Sequence, residues 1–179
     1  MQKNRFTLVE ILTVSAMICL VMAVILIAYN GIYRSWATKN TIATMKAAQL
    51  PLDKFKLENE MYPVNSGNTL GNAVHGEAVL KKELHQACSP FSQMNGNTLL
   101  VFDDFGDKKA PQEIYYVAPV ENRNTFMLMS KGKNGEWGGE DDIVFLPHGL
   151  ESKNLKPGFY MCNATGSGTV SGEIEPIAQ

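Results

Sequence analysis

The sequence predicts an α+β protein in which one long N-terminal helix, with a membrane-spanning first half, packs on a small antiparallel β-sheet. Three observations predict this class. Residues 11–33 contain no charged side chain over 23 positions. An apolar stripe with helical spacing follows this run, and short runs of β-forming residues begin at Thr98. A helix followed by strands, without alternation of the two, is typical of α+β domains.

The composition is that of a folded protein with a slightly acidic balance. The chain has 179 residues, of which 45% are hydrophobic and 19% charged, and this is too apolar for a disordered chain. The length suits one globular domain rather than two. With 16 Lys and Arg against 18 Asp and Glu, the net charge is −2. No nucleic-acid partner is predicted, because nucleic-acid binding needs a clearly basic surface.

The uncharged run predicts a membrane-spanning helix segment over residues 6–33. A hydrocarbon layer about 30 Å thick is crossed by roughly 20 helical residues. A cleaved secretory signal is the alternative, since Lys3 and Arg5 precede the run. However, the apolar core of such a signal ends after about 7–15 residues. Basic residues flank both ends of the run, so the positive-inside rule does not orient it.

Glu10 lies at the start of the apolar run and admits two interpretations. The carboxylate sits at the headgroup boundary of the membrane, or it has a positive partner within the membrane. A charged side chain inside hydrocarbon is costly and usually paired. For a glutamate near a helix end, the boundary position is the default interpretation, and the surrounding string Phe6-Thr7-Leu8-Val9-Glu10 favours the second.

The string Phe6-Thr7-Leu8-Val9-Glu10, followed by the apolar run, resembles the N-terminus of type IV pilins and type II secretion pseudopilins. The resemblance implies that residues 1–5 are a leader, which a prepilin peptidase cuts off between Arg5 and Phe6 before the new amine is methylated. It also implies that Glu10 pairs with the Phe6 ammonium of a neighbouring subunit during filament assembly. Arg5 stands where the family normally has Gly, and Ile27 where it often has Pro.

The helix is predicted to continue through residues 34–62 as an amphipathic helix of the body. Pro51 lies within the pattern and predicts a kink or irregularity near residues 47–50. Residues 55–63, which end in Tyr62-Pro63, resemble the helix exit of the type II secretion major pseudopilin. The apolar stripe is expected to face the core and consists of Ile42, Met45, Ala48, Leu52 and Phe55.

The remainder of the body is predicted in three segments. Residues 63–97 form a loop with a short amphipathic helix over residues 77–87. Residues 98–150 form the antiparallel sheet and its acidic Gly-rich loop, with strands over residues 99–102, 114–117 and 126–129. Within this segment, the acidic residues 103–107 are interpreted as a structural turn. Residues 151–179 form a polar tail, rich in Gly and Ser and irregular at its end.

Residues 130–143 form a loop with four glycines and several oxygen donors. The donors are Asn134, Glu140, Asp141 and Asp142, and calcium takes roughly 6–8 such oxygens. The alternative is a solvated acidic turn. The glycines and the closing Asp141-Asp142-Ile143 resemble the calcium loop of the major pseudopilin, and the resemblance implies calcium as a cofactor. Weak affinity is expected, about 10⁻⁴–10⁻³ M as in extracellular modules.

The chain has three cysteines. Cys19 lies in the predicted membrane span and is interpreted as a small apolar filler. Cys88 and Cys162 fall in the body, which is expected outside the cytoplasm, where disulfides persist. We predict a Cys88–Cys162 disulfide, with two unpaired thiols as the alternative.

The sequence predicts a structural subunit and no enzyme. The three histidines have no metal-ligand spacing, and no nucleophile elbow or phosphate-binding loop occurs. The resemblance implies a subunit of a type II secretion pseudopilus or related filament, held in the inner membrane with a cytoplasmic N-terminus and a periplasmic or extracellular body. Its implied partners are further copies, minor pseudopilins, the inner-membrane assembly platform, prepilin peptidase and membrane lipid. The alternatives are a surface type IV pilus subunit and a non-assembling membrane-tethered binding domain.

Overall fold

The computed structural model describes residues 7–64, 69–106, 110–118 and 123–177. Contacts divide the chain into two units, Met1–Trp36 and Ala37–Gln179. The helices of the described residues are α1 (Leu8–Asn59), α2 (Leu70–Ala73), α3 (Ala78–Ala87) and a 3-10 helix (Glu151–Lys153). The strands are β1 (Ser92–Asn95), β2 (Thr98–Val101), β3 (Tyr115–Val117), β4 (Met127–Ser130), β5 (Asp142–Leu146), β6 (Gly158–Ala164) and β7 (Val170–Pro176). The α+β class is confirmed.

Helix α1 begins in the first unit and ends in the second. It runs without interruption through Pro51, so the short irregularity predicted near residues 47–50 is wrong, while the alternative of a kink there stays a prediction. Pro51 and Leu52 are buried in the body, and this packing maintains the helix although proline removes one backbone hydrogen bond. After the helix ends at Asn59, Glu60 adopts a left-handed backbone with a φ of 63°.

The sheet of the body is larger than the sequence predicts. Strands β3-β4-β5-β6-β7 form a five-stranded antiparallel sheet in chain order, and β1 and β2 form a separate hairpin. The three predicted strands correspond to β2, β3 and β4, and the predicted short helix corresponds to α3. The prediction that the tail is irregular at its end is wrong as far as Pro176, because β6 and β7 lie in the tail and β7 ends at that residue. Its Gly/Ser-rich stretch is the turn between these two strands, where Gly168 has a φ of 89°.

The apolar stripe of α1 faces the core, as predicted. Met45, Ala48 and Leu52 are completely buried, and the partly buried Ile42 and Phe55 pack against the same cluster. The sheet contributes alternate residues of its strands to this cluster: Leu128, Ile143, Phe145 and Phe159. The residues between them face the other way and form a second cluster with Met129, Val144, Tyr160 and Cys162. Both faces of the five-stranded sheet therefore carry a cluster of buried side chains.

A polar clamp built around Tyr62 joins the end of α1 to the sheet. The Tyr62 hydroxyl donates to Asp53 Oδ1 on α1 and lies 2.7 Å from both Asp53 Oδ1 and His148 Nε2. The ring packs edge-to-face on Phe126, and the Tyr62 side chain is only 1% exposed. Arg123 donates through Nη2 and Nε to the Tyr62 carbonyl oxygen. Burial raises the pKa of Tyr62, so the hydroxyl stays protonated.

The acidic turn after β2 is structural, which supports its interpretation from the sequence. Asp103 Oδ1 accepts hydrogen bonds from the backbone N–H groups of Phe105 and Gly106. Asp103 Oδ2 accepts from the Ser130 hydroxyl of β4 at 2.5 Å. The next residue, Asp104, accepts at Oδ2 from Asn40 Nδ2 of α1 at 2.7 Å. The turn therefore ties α1 to the sheet through side-chain hydrogen bonds.

The predicted Cys88–Cys162 disulfide is wrong, because both thiols are free. Cys88 belongs to the cluster between α1 and the sheet, and Cys162 to the cluster on the opposite face. A covered sheet thus separates the two side chains, and neither can reach the other without backbone movement. Burial raises the pKa of Cys88 to about 12 and that of Cys162 to about 11, so both behave as inert apolar residues.

Candidate functional site

The start of α1 carries the first candidate site, around Glu10. Glu10 Oε2 accepts hydrogen bonds from the Thr7 backbone N–H at 2.7 Å and from the Thr7 hydroxyl at 2.9 Å. In return, Thr7 Oγ1 accepts from the Glu10 backbone N–H at 3.3 Å. This reciprocal arrangement is a capping box, and its sequence signature is a Thr followed three residues later by a Glu. The signature was visible in the sequence, yet the sequence analysis missed it.

The capping box gives Glu10 a role within its own chain. One carboxylate oxygen satisfies a backbone N–H that the helix leaves unpaired at its start, and the negative charge lies at the favourable end of the helix dipole. Within the part of the chain that the structure describes, both side-chain hydrogen bonds of Glu10 are made by Oε2. Arg5 and Phe6, the predicted processing residues, lie outside the described residues, as does the predicted positive partner of Glu10.

The first unit presents an apolar surface on every side of α1. Large hydrophobic side chains from Leu8 to Tyr33 are about half to three-quarters exposed, and they include Ile11, Ile18, Ile25 and Ile32. A helix that is apolar all round is typical of a membrane span or a packed bundle. By length and composition, α1 is apolar enough to cross a membrane. It is the one such helix among the described residues.

The second candidate site is the loop between β4 and β5, which folds around Asp141. Asp141 Oδ2 accepts hydrogen bonds from the backbone N–H groups of Lys133 and Asn134, at 2.8 and 2.9 Å. Asn134 Oδ1 accepts in turn from the backbone N–H of Glu136 at 2.8 Å. Gly132 has a φ of 63°, and a β-carbon there would overlap the Asp141 carbonyl group. The loop therefore needs glycine at this position.

An acidic cavity of about 610 Å³ opens beside this loop. Its lining combines loop residues with residues of β6 and β7 and consists of Asn134, Gly139, Glu140, Asp141, Met161, Glu173 and Glu175. Three of the four predicted calcium ligands therefore line one cavity, together with two glutamates that the sequence analysis missed. Glu173 and Glu175 follow the loop by more than 30 positions in sequence, and only the pairing of β7 with β6 brings them here.

Asp142, the fourth predicted ligand, does not line this cavity. It pairs with Cys162 in the sheet register, whereas Met161 and Glu175 pair with each other on the opposite face. Asp142 Oδ2 accepts from the backbone N–H groups of Gly138 and Ala164, at 3.0 and 2.9 Å. Its Oδ1 is buried without a hydrogen-bond partner. Asp142 thus holds the loop to β6 and is a structural residue.

Burial raises the pKa of the Asp142 carboxyl, although the two N–H donors oppose part of this effect. A carboxyl whose pKa is raised in the folded state stabilises the fold most below about pH 4, and this contribution is lost as the pH rises through the folded-state pKa. We therefore expect Asp142→Asn to flatten the fall in unfolding free energy that accompanies a rise in pH above about 4.

Urea unfolding of the detergent-solubilised chain at several pH values, with chelator present, measures this slope. Asp103→Asn should also flatten the pH dependence of the unfolding free energy, because burial raises the pKa of Asp103 as well. An Asp142→Asn variant whose pH dependence equals that of the unchanged chain would contradict the expectation.

No three His, Cys, Asp or Glu side chains among the described residues converge closely enough to hold a metal ion. The carboxylates of the acidic cavity are spread around its wall, and Glu140, Glu173 and Glu175 are exposed. Calcium binding at this loop stays a prediction. The cavity offers the hard oxygen donors that calcium takes, and it offers them from two separate segments of the chain.

The functional interpretation depends on the sequence pattern and on the geometry of these two sites. Comparisons of the chain with protein-family models, with curated proteins and with solved structures find no significant match.

Proposed function

We propose that the chain is a membrane-anchored structural subunit of a type II secretion pseudopilus or a related type IV pilus-like filament. A leader of residues 1–5 is removed between Arg5 and Phe6 by prepilin peptidase. The subunit then waits in the inner membrane with its body on the periplasmic or extracellular side. It enters the filament through α1 and contributes structure to protein export. Its partners are further copies, minor pseudopilins and the inner-membrane assembly platform.

The observation that supports this proposal most is the combination of an apolar helix surface with one acid at its start. From Leu8 onwards α1 exposes apolar side chains in all directions, and Glu10 is the only charged residue between Leu8 and Arg34. In a filament, the apolar surface would be covered by the α1 helices of neighbouring copies. The carboxylate of Glu10 would meet a neighbour's N-terminal ammonium, where a mis-registered copy leaves both charges unpaired.

The capping box supports a second candidate, the non-assembling membrane-tethered domain. Because Thr7 already satisfies one oxygen of Glu10, the carboxylate has a role that needs no neighbouring copy. In that case Glu10 lies at the membrane boundary and caps the first turn of α1. The body then acts without neighbouring copies of the chain. The filament subunit needs the negative charge of Glu10. The tethered domain needs only the hydrogen bonds between Glu10 and Thr7.

Electron microscopy of filaments sheared from cells that express the chain tests the first candidate. Mass spectrometry of the same material should find a chain that begins at a methylated Phe6. Filaments that contain the chain with Met1 intact would contradict the processing step. The absence of the chain from every filament, with the protein present in the membrane fraction, would favour the tethered domain.

We also propose that the acidic cavity takes calcium. Glu140, Asp141 and Asn134 from the loop, with Glu173 and Glu175 from β7, supply five oxygen-bearing side chains. The donor chemistry fits, since calcium prefers carboxylate and amide oxygens in flexible geometry. Bound calcium would supply the positive charge that offsets the repulsion between these carboxylates, and would join β7 to the loop.

Calcium at about ten times its dissociation constant should stabilise the fold by about 1.4 kcal/mol relative to chelator. For a chain of this size, each kcal/mol raises the melting temperature by about 2–4 °C. Thermal melting with millimolar calcium, with magnesium and with chelator measures the effect. The Glu173→Gln and Glu175→Gln double variant should lose it, and Asp104→Asn, away from the cavity, should keep it. Equal melting in calcium and in chelator would contradict the site.

A further inference from the structure

Three aromatic side chains lie where the uncharged run of α1 ends. Tyr29, Tyr33 and Trp36 are 63%, 49% and 67% exposed, which is unusual for large rings without a role in binding. The rings of Tyr29 and Tyr33 stack with their centroids 6.4 Å apart. We call these three residues the aromatic collar. All three belong to the first unit of the chain.

The collar is one-sided. Residues at positions i, i+4 and i+7 of an α-helix lie within about 60° of one another around its axis. Tyr29, Tyr33 and Trp36 have this spacing, so their rings project from a single face of α1. An aromatic belt that only marked the end of a helix could place its rings on any side. Because the three rings share one face, we infer that this face of α1 contacts the surface to which the collar binds.

The chemistry of this region matches a phospholipid headgroup layer. Tyr and Trp have an apolar ring and a polar tip, and they concentrate at the membrane–water boundary for that reason. Arg34 lies within the collar and the exposed Lys39 follows it, and no acidic residue occurs in the sequence between Glu10 and Asp53. The nearby Asp104 carboxylate is bound by Asn40 Nδ2. Basic residues next to a membrane span are attracted to anionic lipids.

The position of the collar also fits the thickness of the membrane. From Leu8 to Ala28, α1 rises about 31 Å, and the hydrocarbon core is about 30 Å thick. With the collar among the headgroups, Leu8 and Glu10 come to the opposite edge of the hydrocarbon. This is the depth at which a carboxylate held by a capping box is least costly.

We propose that the aromatic collar binds the headgroup layer of an anionic phospholipid bilayer on the side where the body emerges, with its single face turned towards the lipid. This inference rests on the proposed membrane anchoring of the chain and adds the depth and the face at which it is anchored. The rings fix the depth of α1 in the bilayer, and the positive charges of Arg34 and Lys39 favour an anionic surface.

Depth-dependent fluorescence quenching tests the proposal on the full chain in vesicles of phosphatidylcholine and phosphatidylglycerol. The chain has two tryptophans, so Trp137→Phe leaves Trp36 as the only emitter. Lipids brominated near the headgroup should quench Trp36 at least about twofold more than lipids brominated at the bilayer centre, because interfacial rings sit at headgroup level. Water-like emission with no quenching, or equal quenching at both depths, would overturn the proposal.

The matched control moves the probe to another face at nearly the same depth. Ser35 is exposed and lies about 100° around the helix from Trp36. In the Trp36→Phe, Trp137→Phe background, Ser35→Trp should be quenched less by headgroup-level bromine than Trp36 is. Equal quenching of the two probes would overturn the one-sided collar.

Two further measurements separate the parts of the proposal. Quenching of Trp36 by lipids brominated near the headgroup should weaken in vesicles of phosphatidylcholine alone and in the Lys39→Gln variant. No change in either measurement would overturn the preference for anionic lipid. Alkaline carbonate washing of the vesicles tests anchoring itself. A chain that washes off contradicts both the membrane anchor and the collar, whereas a chain that stays inserted with an unquenched Trp36 contradicts the collar alone.

Discussion

Glu10→Ala is expected to lower the amount of the chain in sheared filaments at least about tenfold, because about 1.4 kcal/mol of lost pairing corresponds to a tenfold change in an equilibrium. An ion pair within a membrane contributes more than this when the alternative is two unpaired charges. The measurement is immunoblotting of sheared filaments against total membrane protein. Membrane insertion should not change, since residues 11–33 carry no charge in either form.

Glu10→Gln separates pairing from capping. Glutamine can accept the Thr7 N–H as glutamate does, and both residues occur in capping boxes. If the charge of Glu10 pairs with a neighbouring copy, Glu10→Gln should be as defective as Glu10→Ala. If Glu10 only caps the helix, Glu10→Gln should behave as the unchanged chain.

Thr7→Val is the matched control for the cap. It removes the hydroxyl that accepts from the Glu10 N–H and donates to its carboxylate, while the carboxylate charge stays. A filament subunit should tolerate Thr7→Val better than Glu10→Gln. Normal incorporation of Glu10→Ala would contradict the filament proposal and favour the tethered domain.

Tyr62→Ala is expected to destabilise the body by about 3–5 kcal/mol, the usual cost of removing a large buried aromatic side chain. The ring is 1% exposed and packs on Phe126, with centroids 4.7 Å apart. Its loss would leave a cavity between the end of α1 and the sheet. Urea unfolding of the detergent-solubilised chain in a Trp36→Phe background, followed by the fluorescence of Trp137 in the second unit, measures the change.

Tyr62→Phe is the matched control, since it keeps the ring and removes the hydroxyl. Asp53 Oδ1 and His148 Nε2 then lose the partner that lies 2.7 Å from each. We expect a cost of about 1–3 kcal/mol, because a part-buried polar group is left unsatisfied. If Tyr62→Phe is as unstable as Tyr62→Ala, the hydrogen bonds dominate the clamp. If neither variant is destabilised, the clamp does not join α1 to the sheet.

Local patterns in the sequence were sufficient for α1, for α3 and for β2, β3 and β4, which are three of the seven strands among the described residues. The spacing of Met45, Ala48 and Leu52 identified the buried face of α1 correctly. Pro51 was misinterpreted because the helical pattern around it is held by burial, which a local rule for proline does not include. Strands β6 and β7 were missed since their hairpin turn is rich in Gly and Ser, a composition shared with irregular tails.

The sequence by itself determined that a long helix, uncharged over residues 11–33, precedes an α+β body, because helical period and charge are local properties of the chain. Only the tertiary structure decided which acidic residues share a cavity and which cysteines can meet. Strand register placed Glu173 and Glu175 beside the loop, turned Asp142 to the opposite face, and separated Cys88 from Cys162. Register depends on contacts between distant segments, and a shift of one residue would reverse every side chain of a strand.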